Sequence, residues 1–131
     1  MRKIINLTLH PINLEINGKL VEIPNEPFAL RVTEEVKEVG VILTELGEVK
    51  RITKKLTEIP EEQIEELKKK IRSNSNRTNI VIVSYLAGLV LKNDSRLSLA
   101  EKLSIYVIGE TIRDERGRVI GARNLVNILD L

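Results

Sequence analysis

The sequence predicts a single α+β domain over residues 1–131: a mixed, mostly antiparallel β-sheet carrying two or three short helices that cover one face. Three observations predict it. Apolar residues alternate with polar ones around tight turns from Ile4 to Leu56, a run of glutamates passes into lysines just after Pro60, and Asn79 to Val83 is a short β-branched run. These are the signatures of hairpins, of one amphipathic helix, and of a strand covered on both faces. With 131 residues, 42% apolar and 31% charged, the chain suits one compact core.

Taken in order, Ile4 to Leu9 reads as a strand that His10-Pro11 ends, because proline cannot donate to a ladder and pushes its predecessor to extended geometry. Asn17-Gly18 then supplies the positive φ angles of a type I′ turn. A two-residue loop there pairs Ile16 with Lys19, Leu14 with Val21 and Ile12 with Ile23. Pro24 and Pro27 terminate the hairpin, and Phe28 to Val32 reads as a further extended segment. Val36 to Leu56 reads as a longer hairpin around Gly47. A two-residue loop that sets Glu45 opposite Glu48 is unfavourable, so a three-residue loop pairing Thr44 with Glu48 is preferred.

After Pro60, Glu61, Glu62, Glu65 and Glu66 precede Lys68, Lys69, Lys70 and Arg72, matching the helix dipole, and Ile64, Leu67 and Ile71 form the apolar stripe. Glu65–Lys69 and Glu66–Lys70 stand four apart. Ser73 to Arg77 reads as a surface loop. Asn79 to Val83 is the central strand, Ser84 caps a helix over Tyr85 to Leu91, and Ser98 with Glu101 has capping-box spacing. Ile105 to Ile108 is a strand, and Asp114 to Gly117 turns a last hairpin within Thr111 to Ala122.

Two of these stretches carry a resemblance. Asn6-Leu7-Thr8-Leu9-His10-Pro11, and Ile112 to Arg123 with its Arg-Asp-Glu-Arg-Gly-Arg-Val-Ile-Gly core, resemble small bacteriophage proteins that join an NLTPHP opening to a C-terminal VRDExGRVIG hairpin. Ile80 to Ser84 is similar to that group's apolar strand ending in serine, while Leu9 stands where the opening has proline. The resemblance implies a viral or proviral source and assigns no catalytic residue.

Candidate chemistry is sparse. Without cysteine there is no disulfide framework, thiolate zinc site or thiol nucleophile, and the one histidine, His10, is expected to cap a turn or pack under the first hairpin. Ser84 lacks the flanking glycines of a nucleophile elbow. A helix starting beyond a strand end does attract anions, so His10, Ser84, Arg113 and Arg123 form a candidate site for a small phosphorylated ligand such as a nucleotide. Arg116 and Arg118 lie among Glu110, Asp114 and Glu115, which neutralise much of that patch. Lys68, Lys69, Lys70, Arg72 and Arg77 are the candidate nucleic-acid contacts, but a net charge of +2 and scattered aromatics argue against a nucleic-acid partner. No cofactor or metal is expected.

The expected function is therefore a non-catalytic viral accessory or interaction protein, with the phosphorylated-ligand and nucleic-acid readings as alternatives. The N-terminus has no secretory apolar core and no stretch is long enough to span a bilayer, which predicts a cytoplasmic protein, in the host cell if viral. Sheet edges left by the hairpins predict a homodimer, with a host or viral protein as the further partner.

Overall fold

The computed structural model describes residues 2–73 and 78–131. Its strands are β1 (Ile4–Asn6), β2 (Ile12–Ile16), β3 (Lys19–Ile23), β4 (Glu34–Thr44), β5 (Gly47–Leu56), β6 (Ile80–Ile82), β7 (Ile105–Ile108), β8 (Thr111–Arg113), β9 (Val119–Ala122) and β10 (Leu125–Asn127). The helices are α1 (Glu61–Ile71), α2 (Tyr85–Lys92) and α3 (Leu99–Lys102), followed by a 3-10 turn over Ile128–Asp130. One four-stranded sheet has the order β1-β6-β7-β10, a second the order β3-β2-β9-β8, and β4 pairs with β5 alone. The α+β class and the mixed sheet hold. Pairs β2–β3, β4–β5, β7–β10 and β8–β9 are antiparallel, and β1–β6, β6–β7 and β2–β9 parallel.

Strand alternation divides the interior into two cores. Ile5, Val81, Val83, Ile105 and Val107 face the helices and pack with Ile64, Leu67 and Ile71 of α1 and Ala87 and Leu91 of α2. Ile82, between Val81 and Val83, points to the other side and packs with Ile12, Leu14 and Ala122 of the second sheet. Helices, first sheet and second sheet are thus three layers, and β6 is apolar at every position because both its faces are covered.

The first hairpin has the expected register, Ile12↔Ile23, Leu14↔Val21 and Ile16↔Lys19. Asn17 at φ 52° and Gly18 at φ 78° form its turn. Ser84 accepts the Ala87 amide at 3.2 Å. Ser98 and Glu101 close a full capping box, with Ser98 N to Glu101 Oε1 at 2.8 Å and Glu101 N to Ser98 Oγ at 3.1 Å.

Three expectations are corrected. In the long hairpin Thr44 pairs with Gly47, not Glu48, so the loop is Glu45-Leu46 and the irregularity sits between Glu38 and Gly40. Thr44 closes the turn itself: its Oγ1 donates to Gly47 O at 2.7 Å and accepts the Leu46 amide at 3.2 Å. Glu48 then stands opposite Leu43, which removes the like-charge clash without a bulge at the turn. Phe28 to Val32 joins no ladder. It is anchored by the Leu30 amide on Leu7 O at 3.2 Å and by the buried Leu30 side chain. On α1, the ion pair that forms is Glu65–Lys68 at 3.9 Å rather than a pair four apart.

Candidate functional site

The opening segment from Asn6 to Pro11 does structural work through Asn6. This side chain is buried at the end of β1, and its Nδ2 donates to His10 O at 2.9 Å and Ile23 O at 3.1 Å. Its Oδ1 accepts the Thr8 amide at 2.9 Å. One amide thereby fastens the chain reversal between the two sheets. His10 takes part through its carbonyl; the imidazole is exposed and makes no hydrogen bond among the described residues, so the expectation of a capping or packed ring is corrected. The C-terminal motif is also a turn device, since Asp114 Oδ1 accepts the amides of Arg116 at 2.9 Å and Arg118 at 3.0 Å.

Ser84, Arg113, Arg123, Lys68 and Arg72 each have a partner within the fold. Arg113 Nη1 donates to Gly117 O at 2.7 Å within its own hairpin, and Arg123 lies 4.0 Å from Glu15 of β2. Ser84 stands at the end of β6 with its hydroxyl committed to α2. Arg72 reaches from the end of α1 to Glu101 at 3.4 Å, and Lys68 is half-buried beside it, so two of the basic run serve the α1–α3 contact. Lys69 is exposed, while the Lys70 backbone carbonyl accepts Asn79 Nδ2 at 2.8 Å. Arg77 lies outside the described residues.

The layer order also removes the usual anion crevice. Doubly wound sheets gain it where successive helices switch faces. In this molecule α1 and α2 share one face of β1-β6-β7 and the second sheet closes the other. A cavity of about 520 Å³ near the start of α2 is lined by Tyr85, Glu110 and Asn124. Two of its polar residues bond each other, with Asn124 Nδ2 to Glu110 Oε1 at 2.9 Å and the Glu110 amide to Asn124 Oδ1 at 2.7 Å.

Charge clusters elsewhere hold the fold together. Arg96 donates to Asp94 Oδ2 at 2.7 Å, to Glu61 Oε2 at 3.3 Å and to the Ile59 carbonyl at 2.8 Å, tying the loop after α2 to the start of α1. The Arg96 side-chain hydrogen bond holds the Asp94 carboxyl below the ordinary aspartate value against the opposing effect of burial. At Glu101 burial pushes the carboxyl up, but hydrogen bonds from Ser98 and the charges of Lys68 and Arg72 outweigh it, and the net shift is downward. Among the described residues no group of His, Cys, Asp or Glu is arranged to hold a metal ion, and no helix is long and apolar enough to cross a membrane.

What stands apart is the β4–β5 arm. Every residue of β4, and every residue of β5 before Leu56, is exposed. The ribbon's base is closed by the Thr57 amide on Thr33 O at 2.9 Å. Its far end carries Val41, Ile42, Leu43, Leu46 and Val49, with Leu43 77% and Leu46 95% exposed. Two strands without further cover are marginal in water, and clustered exposed apolar residues mark interaction surfaces. The signal in the sequence is the length of this hairpin, two strands of eleven and ten residues around Gly47. Comparison with protein families, with curated proteins and with solved structures finds no match to this chain.

Proposed function

We propose that this protein is a non-catalytic interaction protein, a viral or proviral accessory factor of the infected cell's cytoplasm, that engages partners through the β4–β5 arm and self-associates as a homodimer. The observation that carries the reading is the arm itself, a fully exposed ribbon with an apolar end. The viral setting rests on the resemblance of the two terminal motifs to bacteriophage proteins. The phosphorylated-ligand reading draws less support, because Ser84, Arg113 and Arg123 each have a local partner and the sheet offers no face-switching crevice.

The test is sedimentation equilibrium of the full chain beside a Leu43→Ser, Leu46→Ser double variant. The unaltered chain is expected to form dimers at tens of micromolar, and the variant to stay monomeric with an unchanged melting temperature, because both side chains lie in solvent. An unaltered chain that is monomeric across the whole concentration range, or a variant that dimerises equally well, overturns the reading.

A further inference from the structure

The partner that the end of the arm fits best is the arm of a second copy, laid across it in the opposite direction. From Gly40↔Arg51 to Thr44↔Gly47 the ladder is unbroken, so facing residues share a side. Leu43↔Glu48 and Val41↔Lys50 therefore present one face, with Ile42↔Val49 between them on the other. On that face an apolar column on β4 runs beside a charged column on β5, acidic toward the tip and basic toward the stem. The order is self-complementary under a two-fold axis across the strands at the Ile42–Val49 rung.

We propose that two copies associate by this antiparallel face-to-face contact. Leu43 of each packs on the partner's Val41, Glu48 of each pairs with the partner's Lys50, and Leu46 at the apex reaches the partner's Ile52. The contact is isologous and closes at two copies. Charge selects it over the alternatives. Arms laid face to face in the same direction set Glu48 and Lys50 of each copy against the partner's apolar Leu43 and Val41, which buries the charges without partners. Edge-on pairing along β5 meets Lys50, Lys54 and Lys55, residues that protect free edges. An anionic lipid surface is repelled by Glu45 and Glu48, the charges closest to the tip.

This geometry rests on the arm being the interaction surface, and a charge swap separates the two ideas. Sedimentation velocity at low salt is expected to show dimer dissociation constants raised about tenfold in Glu48→Lys and in Lys50→Glu, each of which places two like pairs in the dimer. The double variant carrying both changes, and an equimolar mixture of the single variants, are expected to recover the original affinity. Single variants that dimerise normally, or a swap that restores nothing, overturn the crossed-arm geometry. If the Leu43→Ser, Leu46→Ser variant is still monomeric in that case, the arm remains the interaction surface. A monomeric unaltered chain removes both.

Discussion

At the scale of single residues, many of the polar groups that the sequence displays close turns and helix ends. Those whose partners lie within a few positions are legible in advance: Asn17-Gly18, Ser84, the Ser98–Glu101 box and Asp114 satisfy backbone groups nearby. Residues whose partners lie far along the chain are not. Asn6 bonds a carbonyl 17 positions away, Arg72 a carboxylate 29 away and Arg96 a carbonyl 37 away, and no local pattern records such pairings. Asp94 and Glu101 supply the pH test, since each binds its proton less readily in the folded chain than in the unfolded one. Their contribution is complete above the unfolded values of about 4 and is lost as pH falls through the lower folded values. The urea midpoint is expected to hold steady from pH 7 to about 5 and to drop below about 4. Asp94→Asn should be less stable at neutral pH and show a shallower drop; an equal drop in both proteins contradicts the assignment.

At the scale of elements, the hairpins at Asn17-Gly18 and Asp114 form, as do the helices capped by Ser84 and Ser98 or striped by Ile64, Leu67 and Ile71. The first strand, however, stops at Asn6 rather than Leu9, and register and cover depend on tertiary context. The long hairpin illustrates the limit. Its existence is readable, but the choice between loops turns on one Thr44 hydroxyl bridging the Gly47 carbonyl and the Leu46 amide, and its lack of cover cannot be read from propensity at all. Helix α2 illustrates close approach. A Cβ at Gly88 would lie 2.6 Å from Val107 Cγ1 and 3.3 Å from Ile128 Cγ2, so this glycine sets the distance between α2 and β7. Gly88→Ala gains about 1 kcal/mol of helix preference yet overpacks the core by about 1–3 kcal/mol. The expected net result is a melting temperature lowered by a few degrees, measured by calorimetry. A raised melting temperature would mean that α2 is free to move off the sheet.

At the scale of the whole molecule, the two cores are unequal, and the smaller one decides how firmly the second sheet is held. The helix-side core is built from many fully buried side chains on α1, α2, β6 and β7. The sheet-to-sheet core has four buried members, Ile12, Leu14, Ile82 and Ala122, and Ile82 is the one supplied by the first sheet. Truncating a fully buried isoleucine costs about 2–5 kcal/mol where the site cannot collapse, and two facing sheets collapse poorly around one missing side chain. In Ile82→Ala the loss should fall first on the layer that this side chain anchors, through a partial opening of lower free energy than global unfolding. Native-state hydrogen exchange is expected to show the amides of β2 and β9 exchanging faster together, while Val81, Val83 and Val107, held on the helix side, slow-exchange as before apart from the global loss. A uniform loss over both sheets would instead show that the three layers open only as one cooperative unit, with the Asn6 fastening between β1 and the first hairpin strong enough to hold them together without Ile82.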